Sequence, residues 1–219
     1  MSAGLLADWV DWLPQLLRGL WTSVRLTAVS LAVGIPLGLV LALLTAHRSR
    51  WVRWAAIGLV EIGRGTPALV MLQFVYYGLP SAGLTLSSFL AAATALSLTA
   101  AAYTSEILRA GLQAVPAGET EAAGALGMSH RDTLRFVVVP QGVRIALPSL
   151  MGFAILIFQA TSLTFTISVT ELLSQAYSIG AATFRYLDVL LLAGLLYLAV
   201  TVPAGWLTDR TERRLSRHL

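Results

Sequence analysis

The sequence predicts an all-α integral membrane protein with about five transmembrane helices. Hydrophobic residues make up 57% of the 219 residues, charged residues only 12%, and the mean hydropathy is +0.75. A soluble domain carries about 25% charged residues. The apolar residues gather into long segments separated by short polar ones, as expected for helices that cross a bilayer. The chain has no cysteine, which excludes a disulfide framework, and no metal site is predicted.

The chain starts with a segment that we expect to lie in the membrane–water interface. Residues 1–15 contain two tryptophans and a proline, and tryptophan is favoured at that interface. The first span is predicted over residues 16–46. At about 1.5 Å per residue it is longer than the roughly 30 Å hydrocarbon layer. We therefore expect this span to be tilted, or kinked at Pro36.

Four further spans follow, separated by polar or glycine-containing connections. Their predicted bounds are residues 54–79, 84–108, 143–169 and 189–207. The second span is interrupted at Pro67, which lacks a backbone N–H and is preceded by Gly-Arg-Gly-Thr. The third is rich in Ala, Ser and Thr, a composition typical of a helix that packs against other helices and not against lipid. Residues 171–188 are predicted to form an outer connection.

The arginines predict the orientation. All 15 basic residues are arginines, and most lie in the loop at 47–53, the polar segment at 115–139 and the basic tail at 208–219. Five spans put these three stretches on the cytoplasmic side and the N-terminus outside, in agreement with the positive-inside rule. The outer connections contribute only Arg185. Membrane topology therefore explains the net charge of +4, and no nucleic-acid partner is predicted.

The polar segment (residues 115–139) has the pattern of two short helices joined by a glycine. Pro116 suits the first turn of a helix, where its missing N–H is no loss. Gly127 is the residue type expected just beyond a helix C-terminus, because glycine takes a left-handed backbone conformation without strain. Ser129 can cap a second helix. Pro140 then ends that helix or begins the next element.

The polar segment also resembles the EAA loop of ABC-importer permeases, whose pattern is EAA-x3-G-x9-I-x-L-P. The matching residues are Glu121, Ala122, Ala123, Gly127 and Pro140, with Val137 and Val139 in place of the usual Ile and Leu. Two stretches resemble the polar amino acid uptake family more specifically. They are Glu-x-x-Arg-Gly-Thr-Pro at 61–67 and, within the polar segment, Ala-Leu-Gly-Met-Ser at 125–129. The resemblance extends from residue 21 to the C-terminus.

This resemblance implies the type I ABC importer permease fold, with a cytoplasmic pair of short coupling helices. It implies a permease that moves polar amino acids through the inner membrane of a prokaryote. The implied partners are an ABC ATPase dimer that binds ATP and magnesium, a second permease subunit that is identical or different, an extracytoplasmic solute-binding protein, and lipid. The chain has no phosphate-cradling Gly-x-x-x-x-Gly-Lys-Ser/Thr sequence, so we expect neither ATPase activity nor a cofactor of its own.

The resemblance also implies roles for individual residues of the polar segment. In the family, the paired short helices insert into a groove of the partner ATPase and move with it. Glu121 would act as a charged anchor, and Ala122 and Ala123 would form a small surface that permits close approach. Gly127 would form the elbow between the two helices.

Ionisable residues inside the apolar segments are candidates for the substrate pathway. Glu61 and Arg64 belong to the Glu-x-x-Arg-Gly-Thr-Pro element of the second span. Alternatively, since they are three positions apart on one helix face, they pair with each other. Glu106 and Arg109 raise the same two alternatives at the end of the third span. Further polar candidates on these two spans are Thr66, Gln73 and Tyr103.

The fourth span has a polar interruption at Gln159, Thr161 and Ser162, near the expected membrane midplane. Transporters often place substrate contacts at such interruptions. The alternative is that the two hydroxyls hydrogen-bond to their own helix. The family commonly has a Lys-Asp pair ahead of Thr-Ser-Leu, whereas this chain has Gln159-Ala160. That departure leaves open a neutral substrate site or the non-binding half of a heterodimer.

Two other functions compete with the importer. A secondary-active amino acid transporter independent of ATP would be expected to carry a midplane coupling carboxylate and often an inverted repeat. Glu61 is the only candidate for that carboxylate, and no repeat is visible in the sequence. A membrane scaffold or sensor subunit would not need the polar break at 159–162.

Overall fold

The computed structural model describes residues 3–215, with side chains from residue 7 onwards, and every regular element in that range is helical. The α-helices are α1 (Ala3–Thr45), α2 (Arg50–Gly65), α3 (Ala68–Gln73), α4 (Ser88–Gln113), α5 (Ala117–Ala125), α6 (His130–Thr133), α7 (Val139–Ala160), α8 (Leu172–Thr183) and α9 (Tyr186–Leu215). Two π-helical turns, Phe74–Gly78 and Leu134–Val138, and two 3-10 segments, Leu79–Ala82 and Thr161–Ile167, continue α3, α6 and α7. The predicted all-α class is confirmed.

Within the described residues, three helical stretches are long and apolar enough to cross a bilayer: Ala7–Thr45, His130–Ile167 and Tyr186–Leu215. A fourth span results if α2 and the stretch Ala68–Ala82 count as one broken span. The remaining predicted span corresponds to α4, whose 26 residues also suffice for the roughly 30 Å hydrocarbon layer. Its Ser and Thr residues and the charged residues near its C-terminal end lower the hydropathy of α4.

α1 is one uninterrupted helix through Pro14 and Pro36. Proline is tolerated in membrane helices whose neighbours satisfy the freed backbone groups. The tilt or the kink expected at Pro36 stays a prediction. The segment predicted at 1–15 is not a separate element in the described residues, because α1 begins at Ala3. Its position in the interface stays a prediction.

α4 lies at the centre of the bundle, packed against α1, α2 and α7. Small residues make these contacts close. A Cβ added to Gly34 of α1 would lie 2.5 Å from the Ala100 Cβ, and one added to Gly63 of α2 would lie 2.6 Å from the Ala102 Cβ. The buried Thr104 hydroxyl donates to the Ala100 carbonyl at 2.7 Å and approaches the Gly34 carbonyl at 3.3 Å. The prediction that the third span packs against other helices is confirmed.

The second span is broken where the sequence predicts. α2 ends at Gly65, Thr66 is extended, and the chain turns by 102° before it continues as Ala68–Ala82. Pro67 disfavours a helical conformation of the residue before it, which accounts for the extended Thr66. The Thr66 hydroxyl and N–H both bond to the Ile62 carbonyl, at 2.7 and 3.1 Å, and so close the last turn of α2.

The outer connection predicted at 171–188 is mostly a helix. α8 packs between α1 and α9, and Leu172, Ala176 and Val189 join Leu16 of α1 in one buried cluster. Arg185 links the end of α8 to α1 and α9 through ion pairs with Asp8 and Asp188. These two hydrogen-bond acceptors raise the pKa of Arg185 above its ordinary value. This corner of the fold is therefore fixed by packing and by charge pairs.

Candidate functional site

α5 and the glycine behind it form the first half of the polar segment. The N–H of Met128 donates to the Ala123 carbonyl at 3.1 Å, and the N–H of Gly127 donates to the Gly124 carbonyl at 2.9 Å. Gly127 has a φ of +77°. This pair of bonds around a left-handed residue is a Schellman motif, which satisfies carbonyls at a helix C-terminus. The elbow predicted at Gly127 is thus present.

The second half of the polar segment is not a free-standing helix. Ser129 caps α6 by accepting from the Asp132 N–H at 3.2 Å, as predicted. α6 then runs through the π turn Leu134–Val138 directly into α7, with Pro140 in the first turn of α7. In a π turn the backbone bonds reach five residues back, which relieves the clash that proline makes with the usual acceptor. The predicted second helix is therefore an N-terminal extension of the long α7 helix.

The outer face of the elbow is exposed and partly apolar. Glu121, Ala122 and Gly127 are exposed, and the Leu126 side chain is 83% exposed. Ala123 is buried at 4% and faces the interior of the segment. The two alanines thus have different surroundings, because successive residues on a helix point about 100° apart. Of these two alanines, only Ala122 is exposed.

A second polar site joins α2 to α4. Arg64 Nη1 lies 3.5 Å from Glu61 Oε1 and 4.0 Å from Glu106 Oε2. Arg109 holds Glu106 with two bonds, Nε to Oε1 at 3.1 Å and Nη2 to Oε2 at 2.6 Å. We call Glu61, Arg64, Glu106 and Arg109 the charged chain. The mutual pair considered for Glu61 and Arg64 is present within α2, and Arg64 also reaches Glu106 of α4. A role of these residues in the substrate pathway stays a prediction.

The charged chain borders a cavity of about 540 Å³ that reaches the π turn of the polar segment. Glu61, Glu106 and Arg109 line it together with apolar side chains of α1 and α2. Tyr103 adjoins the charged chain, because its hydroxyl donates to the Arg64 carbonyl at 3.2 Å. Its ring stacks on Phe153 of α7 with ring centroids 5.5 Å apart. Of the charged side chains, Glu106 is 28% exposed and Glu61 65% exposed.

The remaining predicted substrate residues do not join this site. Thr161 is fully buried and its hydroxyl donates to the Phe158 carbonyl at 2.7 Å. Ser162 donates to the Gln159 carbonyl at 2.8 Å. Both hydroxyls therefore satisfy their own helix, the second of the two alternatives. The side chains of Gln73 and Gln159 are exposed on α3 and α7, and no hydrogen bond found within residues 7–215 connects them to the charged chain.

Sequence reasoning missed one polar site, around Glu171. Its side chain has no exposed surface. It accepts from the N–H groups of Leu173 and Ser174 at 2.9 and 2.7 Å and from the Tyr197 hydroxyl at 3.1 Å, and the Ser23 hydroxyl lies 3.5 Å away. Glu171 therefore caps α8 and ties it to α1 and α9. No sequence signal identifies it, because glutamate is uncommon as an N-cap.

In the part of the chain that the structure describes, no three His, Asp or Glu side chains converge as metal ligands would. Besides the Glu171 site, the polar features are an exposed helical elbow at one end of an apolar bundle and a charged chain between two of its helices. Together with the long apolar helices, they indicate an integral membrane protein that exposes a polar elbow.

The chain belongs to the family of binding-protein-dependent transport system inner membrane components, whose sequence profile matches residues 34–217. Its relatives cover almost the whole chain. It is 37% identical to a probable amino-acid ABC transporter permease of Sinorhizobium fredii, over 98% of this chain and 93% of that protein. It is 35% identical to the arginine transport system permease ArtQ of Bacillus subtilis, over 93% of each.

Solved structures agree with this assignment. A crystal structure of an amino acid ABC transporter with histidines contains a chain that matches 98% of this one with a TM-score of 0.88 and 33% identity, and all of that chain is covered. The inward-facing methionine ABC transporter MetNI matches with a TM-score of 0.73 at 20% identity, over 98% and 99% of the two chains, which supports the fold alone. The predicted type I importer permease fold is confirmed.

Proposed function

We propose that this chain is the membrane-spanning subunit of an ATP-driven importer of polar amino acids. Its relatives named as amino-acid permeases match over more than nine-tenths of the chain. The observation that carries the coupling mechanism is the exposed elbow of the polar segment, with Leu126 83% exposed at its tip. A large apolar side chain in that position on a polar surface suits a partner protein. The elbow and the basic tail face the cytoplasm, and the N-terminus lies outside.

The partner at the elbow is an ABC ATPase, which binds ATP and magnesium. Leu126 and Ala122 would pack into a groove of the ATPase, and Glu121 would pair with a basic residue at its edge. Because α6 runs on into α7 through the π turn, a displacement of the elbow would be passed to a membrane-crossing helix as one body. Two such permease subunits, alike or different, would share an ATPase dimer and an extracytoplasmic solute-binding protein.

The charged chain is the candidate substrate contact. A zwitterionic amino acid carries one carboxylate and one ammonium group. Arg64 lies between two carboxylates, at 3.5 and 4.0 Å, so its ion pairs are longer than the bidentate pair between Arg109 and Glu106. A substrate carboxylate could replace the Glu61 contact of Arg64, and Glu61 could then receive the substrate ammonium group.

The test of the importer is ATP hydrolysis by the reconstituted complex. The chain would be co-expressed with an ABC ATPase from the same genome and placed in liposomes, and solute-binding proteins loaded with one amino acid at a time would be added. We expect one loaded binding protein to stimulate hydrolysis and so to identify the substrate. If no ATPase copurifies and no loaded binding protein has an effect, the proposal is wrong.

A cross-linking experiment tests the elbow itself. The chain has no cysteine, so an introduced one is unique. Leu126→Cys should cross-link to a cysteine introduced in the ATPase groove and should react with a membrane-impermeant thiol reagent from the cytoplasmic side only. Ser81→Cys, exposed on the 3-10 segment Leu79–Ala82, is the control and should react from the outside. Labelling of both positions from one side would contradict the proposed topology.

A further inference from the structure

An apolar groove runs between α1, α7 and α9. It holds about 350 Å³ and is lined almost entirely by carbon atoms, with Ala28 of α1, Met151 and Ile155 of α7, and Ala204 and Leu207 of α9 among its walls. At its outer end Phe158 packs edge-on against Tyr197, with ring centroids 5.5 Å apart. The groove therefore ends at this aromatic pair and continues toward the end of the bundle that carries the basic tail.

Two arginines lie beyond the open end of the groove. α7 and α9 run in opposite directions, because α8 joins them at one end. Arg144 is seven residues before Met151 on α7, and Arg214 is seven residues after Leu207 on α9. Seven residues are almost two helical turns, so each arginine shares the face of its groove residue and lies about 10 Å further along the helix. Both arginines therefore lie beyond the same end of the groove.

Charge at this opening is not neutralised within the described chain. Arg144 and Arg214 are both exposed, and no ion pair found within residues 7–215 involves either of them. The nearby acidic residues Asp209 and Glu212 lie about 160° and 140° around α9 from Leu207, at 100° per residue. The apolar groove is therefore followed by two arginines, Arg144 on α7 and Arg214 on α9. Neither has a carboxylate on the same face of its own helix.

We propose that the α1/α7/α9 groove binds an anionic phospholipid. One acyl chain fills the groove and the phosphate lies between Arg144 and Arg214. Arginine suits phosphate because its planar fork of N–H donors matches the phosphate oxygens. The Cβ of Arg214 points toward the N-terminus of α9 and so toward the groove, whereas the Cβ of Arg144 points toward the N-terminus of α7 and away from the groove. This site is separate from the charged chain and from the elbow, so it does not depend on the proposed transport function.

The test compares two lipids on the full-length chain, purified with its copurifying subunits and stripped of lipid. Phosphatidylglycerol and phosphatidylcholine with identical acyl chains would be titrated and counted by native mass spectrometry. We expect tighter binding of phosphatidylglycerol, and about a fivefold loss of its affinity for each arginine removed in Arg144→Gln and Arg214→Gln. Equal binding of the two lipids by the unmodified protein would overturn the proposal.

Matched variants exclude general effects of charge and bulk. The double variant Arg144→Lys with Arg214→Lys keeps the charge and should retain the preference for phosphatidylglycerol. Arg18→Gln removes an exposed arginine near the N-terminal end of α1 and should not change lipid binding. Ala204→Trp fills the groove and should reduce binding of both lipids. Val202→Trp, on the opposite side of α9, should not. Unchanged phosphatidylglycerol binding by Ala204→Trp, or an Arg18→Gln effect as large as that of Arg214→Gln, contradicts the site.

A protein could also occupy the groove, and one further variant decides this point. Ala204→Cys introduces the only thiol in a chain without cysteine. If lipid occupies the groove, this thiol stays uncross-linked between copies and its reaction with an apolar maleimide slows when phosphatidylglycerol is added. Efficient disulfide formation between two permease subunits would show that a second copy covers the groove, and the lipid proposal would then be abandoned.

Discussion

Gly127 is the residue whose conformation the elbow requires most directly. Its φ of +77° is accessible to glycine, less so to asparagine, and costs a β-branched residue about 1–2 kcal/mol. We expect coupling between ATP hydrolysis and uptake to fall in the order Gly, Asn, Val at this position. An energy of that size changes the population of the native elbow by about 5- to 30-fold.

The measurement for this series is the ratio of amino acid taken up to ATP hydrolysed in liposomes. Gly118→Ala is the matched control, since Gly118 lies in α5 without a positive φ and with open space around its Cα. Membrane insertion should be unchanged in all variants. A Gly127→Val permease with a normal ratio would contradict the role of the elbow.

The two carboxylates of the charged chain should differ in their effect on stability. Glu106 receives two hydrogen bonds from Arg109 and lies 4.0 Å from Arg64, whereas Glu61 has one contact at 3.5 Å and is 65% exposed. We expect Glu106→Gln to destabilise the subunit by about 1–2 kcal/mol and Glu61→Gln by less than about 1 kcal/mol. Thermal unfolding of the purified protein in detergent measures both, and equal shifts of the melting temperature would argue against the bridging role of Glu106.

Glu171 should be the most sensitive polar residue of the bundle. Removing its carboxylate in Glu171→Ala leaves the N–H groups of Leu173 and Ser174 and the Tyr197 hydroxyl without an acceptor. Each buried unsatisfied group costs about 1–3 kcal/mol. Glu171→Gln keeps one acceptor oxygen and Tyr197→Phe removes one bond, so both should lie between Glu171→Ala and the unmodified protein in melting temperature. An unchanged melting temperature for Glu171→Ala would contradict this account.

At the residue scale, the sequence identifies residues that stand out from their neighbours in polarity or backbone preference. It does not identify residues whose importance depends on how the helices pack. Glu61 and Arg64 are charges in an apolar run, and Gly127 follows a helix-forming run, so each is visible without a structure. Glu171 lies beside a polar connection, where a glutamate is ordinary. Its importance arises only because α8 packs against α1 and α9 and removes the carboxylate from water.

Among the helical elements, the contact between α1 and α4 depends on glycine. Gly38 faces Thr104 and the Ala101 carbonyl so closely that a side chain would separate the two helices. We expect Gly38→Val to destabilise the bundle by about 1–3 kcal/mol, as overpacking generally does. Gly194→Val in α9 is the control, since nothing lies within 4 Å of a Cβ added there. Comparable melting temperatures of the two variants would exclude close packing at Gly38.

The limits of element prediction have physical causes. The break at Thr66 and Pro67 follows from local backbone sterics, and the sequence predicts it correctly. The sequence does not predict the π turn Leu134–Val138, because a π turn has no typical composition. It forms here where Pro140 requires a different pattern of backbone hydrogen bonds. For the same reason the polar segment has one short helix and one extension of α7, where two short helices are predicted. α8 is missed because its twelve residues lie in a stretch of mixed polarity.

On the scale of the whole molecule, the predicted membrane class and family agree with the structure because both depend on features spread along the entire chain. Hydropathy needs only composition, and the resemblance extends over most of the spans. The packing of the spans against one another does not follow from these two features. α4 lies at the centre, where most of its small and polar residues are buried under α1, α2 and α7.

We propose that transport through this bundle is driven by ATP hydrolysis in a partner ATPase bound at the elbow. The most direct test is uptake of a labelled polar amino acid into liposomes that contain the assembled complex, with the loaded solute-binding protein outside. The account predicts uptake only when hydrolysable ATP is present on the side of the elbow, and none with a non-hydrolysable analogue. Uptake without ATP, driven by an imposed proton or sodium gradient, would contradict it and would favour a secondary-active transporter.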